Sequence, residues 1–186
     1  MKTFLTIAVI LSLLMYSSCN KGSNNDDDSC NGESTRRAVK ICIDAEADLI
    51  NLNPIDINVK EFGELNAEEV DKEDERQPLE KNVYRITAVV HKLSHHRDGD
   101  WKVKLTDGDD RFVNCENPNP NCEYAMNSIF HNNYLVVRDW INENKDDLEG
   151  KTVTITGIGF IDIDHKYPRN AAENEMELHP ILTISF

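Results

Sequence analysis

Lys151-Thr152-Val153-Thr154-Ile155-Thr156-Gly157-Ile158-Gly159-Phe160-Ile161-Asp162-Ile163 decides the fold. Its β-branched residues suit a pleated, half-buried surface, so the run reads as one long strand. Gly157 and Gly159 in its middle mark a bulge or sharp bend, because an interior glycine has no side chain to pack. Working outward, Val83 to Lys92 alternates, with Tyr84, Ile86, Ala88 and Val90 on one face. Trp101, Val103 and Leu105 form a second alternating run between the turn signals Asp98-Gly99 and Asp107-Gly108. Arg111 to Glu116 is a third, short strand. The period then changes over residues 124–145. Met126, Ile129, Phe130, Tyr134, Val137, Trp140 and Ile141 make a helical stripe interrupted by Asn133, and Gly150 is the stop signal. Glu175 to Phe186 is the last strand: Met176, Leu178, Leu182, Ile184 and Phe186 share its inner face, and Glu175, Glu177 and His179 the other.

Three strands, a helix and two more strands, with a bend in the fourth, is the order of an OB-like five-stranded Greek-key barrel. The barrel is expected over residues 81–186, in a mainly β chain with one helix between strands three and four. A generic α+β sandwich is the competing arrangement. Ahead of it, residues 34–80 form an N-terminal segment and charged linker. Ser34 to Leu52 fits either a strand, through Val39, Ile41 and Ile43, or a helical face, through Ala38, Ile41, Ala45 and Leu49; helix is preferred. Ile55, Ile57 and Val59 suggest a short extended piece, and residues 64–76 a charged linker.

The chain opens with Lys2, an apolar run from Phe4 to Met15, then Tyr16-Ser17-Ser18-Cys19. A run of 12 residues is too short to cross a hydrocarbon core that needs about 20. The pattern resembles a bacterial lipoprotein signal, whose cleavage after residue 18 leaves Cys19 N-terminal and acylated, for instance with palmitate. Tyr16 departs from the leucine usual at that place, and an ordinary secreted protein is the alternative. Residues 19–33 hold no aliphatic or aromatic side chain, which predicts a flexible acidic tether. Asp26, Asp27 and Asp28 resemble the acidic signals that send some lipoproteins to the outer cell surface, although a plain spacer reads the same way. The expected address is the bacterial cell envelope, with the membrane as partner through the N-terminal lipid.

Net charge is −14. Residues 19–80 carry 7 Lys/Arg against 17 Asp/Glu and residues 81–186 carry 12 against 17, so the acid excess belongs mostly to the leading part. Neither part has the basic excess that replaces counterions on phosphates, which argues against broad nucleic-acid binding. Beyond Cys19, the four cysteines Cys30, Cys42, Cys115 and Cys122 suggest two disulfides in an exported chain, with three possible pairings. A Cys115–Cys122 bridge is preferred because Pro118 and Pro120 stiffen the short loop between them. Zinc is the competing use of these thiols, but no C-x-x-C pair is present.

On the barrel order, Lys92, His95, His96, Arg97, Asp98 and Asp100 fall in the loop joining strands one and two. His165, Lys166, Tyr167 and Arg169 fall in the loop joining strands four and five. These loops flank the ligand face of OB folds, so the two are expected side by side. Three chemistries fit. Asp162, Asp164, His165, Glu175, Glu177 and His179 offer hard oxygens and imidazole nitrogens to a divalent metal, with Asp164, His165, Glu177 and His179 the best ligand candidates. Acid/base hydrolysis of a phosphodiester or glycoside would draw on Asp100, His165, Glu177 or His179. Simple binding would stack Trp101 and Tyr167 on a sugar or base while His96, Arg97, Lys102 and Arg169 meet anionic groups.

Four stretches carry a further resemblance: Arg76-Gln77-Pro78-Leu79-Glu80 with Val83-Tyr84-Arg85; Asp98-Gly99-Asp100; Val153 to Phe160 with Asp164-His165; and Glu177-Leu178-His179-Pro180-Ile181-Leu182. Over about residues 51–186 the chain resembles an uncharacterised family of exported bacterial domains with a terminal Glu-Leu-His-Pro signature. The resemblance implies an OB-like barrel and brings no settled activity. His165, Glu177 and His179 match the family pattern. Lys102 stands where the family usually has a histidine, which favours binding over catalysis here. The function expected is a lipid-anchored, non-enzymatic module for a small molecule, saccharide or protein. A metal-assisted phosphodiesterase or nuclease is the alternative.

Overall fold

The computed structural model describes Cys30, residues 36–163 and residues 171–186. Its strands are β1 (Asn51–Asp56), β2 (Asn82–His95), β3 (Trp101–Thr106), β4 (Phe112–Asn117), β5 (Thr152–Ile161) and β6 (Met176–Ser185). The helices are α1 (Arg37–Lys40), α2 (Val59–Gly63) and α3 (His131–Asn144). The sheet runs β1-β2-β3-β4-β6-β5, and β5 pairs back onto β2. β2 to β6 therefore close a five-stranded, OB-like barrel, with β1 added outside it in parallel to β2. The expected topology is present, and α3 lies between β4 and β5 as the change of period predicts.

The barrel interior follows the alternation of each strand. Tyr84, Ile86, Ala88 and Val90 meet Val103, Leu105, Val113, Cys115, Val153, Ile155, Met176 and Leu178 in one buried cluster. Gly157 and Gly159 mark the bend, where the β5–β6 register shifts. A methyl group on Gly157 would come within 2.9 Å of Leu178 Cβ and 3.0 Å of the Pro180 carbonyl. On Gly159 it would lie 2.8 Å from the Tyr84 ring. Only glycine lets these backbones approach so closely.

Three expectations change. The irregularity in β6 shifts its parity: Ile181 joins the interior, Leu182 turns to a second cluster, and Phe186 is 65% exposed. Glu177 and His179 keep the face opposite Leu178, but that face is covered rather than solvated. α3 begins at His131 rather than near 124, because Glu123–Ala125 forms a separate 3-10 turn; Tyr134, Val137 and Ile141 are its buried stripe. The preferred helix over Ser34 to Leu52 reduces to α1 and a 3-10 turn at Ala47–Leu49, with β1 following directly.

That N-terminal segment is integral to the fold. Cys42, Ala47 and Ile50 pack with Val83, Phe130, Tyr134, Ile158 and Leu182. Tyr134 Oη donates to the Ile41 carbonyl at 2.8 Å. The Arg36 guanidinium grips both carboxylate oxygens of Glu80 at 2.7 Å, with neither side chain exposed. Such a two-pronged pair is among the stronger charge-assisted contacts. The 64–76 stretch is likewise more than a linker: Val70 is buried in the main core, and Arg76 is buried on Asp44 at 2.6 Å.

The disulfide pairs Cys30 with Cys122, not Cys115 with Cys122. Cys115 sits mid-strand in β4 and packs into the barrel core, whereas Cys122 lies past the strand's end, where Cys30 reaches it. Cys42 and Cys115 are free and buried. The bridge ties together residues 92 apart in sequence. Closing so long a loop removes on the order of 4–5 kcal/mol of unfolded-chain entropy in the simple loop model.

Candidate functional site: a covered polar centre on β3, β4 and β6

Successive side chains in a strand point to opposite faces. If Val103, Cys115 and Leu178 fill the barrel, Lys102, Asn114, Glu116, Glu177 and His179 must share its outer wall. The registers bring them together. Lys102 lies directly opposite Glu116 across the β3–β4 pair, and Cys115 is level with Leu178 across β4–β6. Asp100 precedes β3 on the same side. This wall, the second and third barrel strands, is where OB folds bind ligands. Here the N-terminal segment covers it: Lys40, at the end of α1, sends its ammonium to Glu116 Oε2 at 2.9 Å and receives a hydrogen bond from His179 on its carbonyl.

The contacts form one network. Lys102 Nζ lies 2.6 Å from Glu116 Oε1 and 3.9 Å from Glu177 Oε1. Asn114 Nδ2 donates to Glu177 Oε1 at 3.0 Å. Asp100 Oδ1 accepts the Asn119 backbone N–H at 3.0 Å, and its Oδ2 lies 3.3 Å from His179 Nε2. Glu116 Oε2 is 3.5 Å from the same nitrogen. His179 Nδ1 faces the Lys40 carbonyl at 2.7 Å; a carbonyl only accepts, so Nδ1 carries the proton. Glu177 Oε2 and Asn114 Oδ1 are buried with no hydrogen-bond partner among the described residues. Asp100, Glu116, Glu177 and His179 are all under 5% exposed.

Burial and charge pull the two glutamates apart. Burial works against ionising Glu116, but the ammoniums of Lys40 and Lys102, with His179, outweigh it and hold its carboxyl well below the usual range. Burial first, then the charge of Glu116, pushes Glu177 upward, with Lys102 only partly opposing. Burial disfavours the charged forms of Lys40 and Lys102 too, yet the surrounding carboxylates, Glu116 foremost, raise both. His96 goes down because it is partly buried and close to Lys102.

Of the residues picked out by sequence, Asp100, Lys102, Glu177 and His179 meet in this centre. His96 stands half-buried beside it, and its backbone N–H closes the β2–β3 turn on the Asp100 carbonyl. Arg97 is exposed at the tip of that turn. Trp101 points the other way, half-buried against the core, with its ring 4.8 Å from that of His95. His95 itself belongs to β2, which outruns the expected strand. Asp164, His165, Tyr167 and Arg169 lie outside the described residues, and so does the meeting of the two loops. Lys40, Asn114, Glu116 and Asn119 are members that sequence reasoning passed over. The opposite charges of Lys102 and Glu116 on facing strands were the available signal, since such cross-strand pairs stabilise a sheet.

No known family model matches this chain, and no curated protein matches it.

Proposed function

We propose that this chain is an exported, lipid-anchored binding module that holds its ligand at the β3–β4–β6 wall and does not turn it over. One observation carries the reading. Asp100, Glu116 and His179 are buried beneath the N-terminal segment and already face one another and Lys40. A general base or nucleophile has to reach a substrate within hydrogen-bonding distance. Here the candidate groups are turned inward, onto a lysine that belongs to the same chain.

The envelope address is supported by the sequence around Cys19 and by the Cys30–Cys122 bridge, since disulfides persist in oxidising compartments. The resemblance to exported domains ending in Glu-Leu-His-Pro is part of the same proposal. A metal-assisted hydrolase is the second reading, favoured by the approach of His179 Nε2 to Asp100 Oδ2.

Two measurements test the proposal. Cys19→Ser is expected to move the protein from the membrane to the soluble fraction; an unchanged membrane fraction counts against the lipid anchor. The purified full chain, supplied with zinc or manganese, is expected to leave model phosphodiesters and single-stranded DNA intact. Hydrolysis that disappears in Asp100→Asn would replace the binding reading with the hydrolase.

A further inference from the structure

We propose that Asp100 Oδ2, Glu116 Oε2 and His179 Nε2 bind one divalent transition-metal ion of the zinc or manganese kind. This deepens the binding-module reading and rests on it, by naming a ligand small enough for a covered centre. The three side chains can each aim one donor atom so that all lie within 4.8 Å of one another.

The histidine supplies an independent indication. Its Nδ1–H is committed to the Lys40 carbonyl at 2.7 Å, the outer-shell hydrogen bond that fixes the tautomer and orientation of metal-ligating imidazoles. Nε2, fully buried, then points between two carboxylate oxygens. A cation among three electron-rich donors relieves their repulsion: the Lys40 ammonium reaches Glu116 Oε2 at 2.9 Å, and a proton or a metal ion is the candidate at Nε2, where distance separates the two. A proton on Nε2 would draw a carboxylate oxygen to about 2.7–2.9 Å, the span of charge-assisted hydrogen bonds. The two oxygens instead stand off at 3.3 and 3.5 Å. Neighbouring ligands of a tetrahedral ion with bonds of about 2.1 Å are about 3.4 Å apart. The two nitrogen–oxygen distances match that spacing.

The groups around the shell are compatible with an ion. Asp100 Oδ1 is held by the Asn119 N–H, which fixes the carboxylate and leaves Oδ2 for the metal. Glu116 Oε1 is held by Lys102, which orients the other ligand. Lys40 also touches Glu116 Oε2, and one carboxylate oxygen has lone pairs for both an ammonium and an ion. Mixed nitrogen and carboxylate donors suit zinc or manganese better than calcium, which takes six to eight oxygens.

The test uses the full chain in detergent, stripped with chelator and dialysed against zinc chloride or manganese chloride. Elemental analysis is expected to find one ion per chain, and the melting temperature to rise with metal. Asp100→Asn and His179→Ala are each expected to weaken uptake at least about 10-fold. If His179→Ala does not fold, Asp100→Asn decides alone, because the amide oxygen can still accept the Asn119 N–H. A folded wild-type chain that takes up neither ion at millimolar concentration overturns the site. So does undiminished uptake by folded Asp100→Asn. Phosphodiester hydrolysis by the loaded protein would overturn the non-enzymatic reading and leave the ion site standing, so the two proposals fail separately.

Discussion

The inner and outer walls of β3, β4 and β6 are both largely buried and built on opposite principles. Val103, Leu105, Val113, Cys115 and Leu178 fill the inside with groups that attract without direction. Lys102, Asn114, Glu116, Glu177 and His179 fill the outside with groups whose burial is tolerable only when each meets a specific partner. The barrel closes around the first set. The second needs a separate piece of chain, the stretch around Lys40, to be complete. Burial alone therefore does not identify a core here; the identity of the covering element does.

The contrast is easiest to break at Glu116. Glu116→Ala removes the anion shared by Lys40 and Lys102 and leaves both ammoniums largely buried. A loss of about 3–5 kcal/mol is expected from urea unfolding. A loss below 1 kcal/mol would mean that water already reaches the outer wall. The acid limb gives a second check. The Glu116 carboxyl is held below its ordinary value, so its contribution is present above the usual carboxylate range and fades as pH falls through the lowered value. The deficit of the variant should shrink toward that acid limit.

On the inner wall, Leu105→Ala is expected to cost about 3 kcal/mol, within the 2–5 range for such truncations. The loss should be the same at pH 5 and pH 8, since no charged group is exposed by the cavity. A strong pH dependence would show that the two walls are coupled.

The smallest effect has the opposite sign. Glu177 is held above its ordinary value by burial and by Glu116, so it favours the fold when protonated, and that support is lost as pH rises through the raised value. Glu177→Gln keeps an oxygen for Asn114 Nδ2 and has no charge to bury. It is expected to gain about 1 kcal/mol at pH 8, or about 2–4 °C in melting temperature, and nothing at pH 4. A loss at pH 8 would show that the Glu177 anion is needed by Lys102.

The inner wall was legible because alternation of Val, Ile and Leu is what a barrel interior requires. Tyr84 through Val90, Val103 and Leu105 all lie where their period puts them. The outer wall was not. Alternating polar residues such as Asn114 and Glu116 read as a solvated face, and nothing local to β4 tells that another segment covers them. The covering segment was itself hard to read, because a single turn of helix and a 3-10 turn leave no sustained period. Asp100, Glu177 and His179 were found by their chemistry; Lys40, more than 50 residues away in sequence, had no pattern linking it to them. The disulfide partner of Cys122 was hidden for the same reason, since it depends on where the leading segment docks.

The direct opposition of Lys102 and Glu116 has a consequence for how the chain finds its pairing. Slipping β4 by one residue against β3 would turn every side chain over, sending Glu116 into the barrel and Cys115 outward. An all-apolar hairpin would tolerate that error at moderate cost. With a carboxylate thrust among Leu105, Val113 and Leu178, the misaligned form has no way to close, and the buried charges act as a key that admits a single alignment.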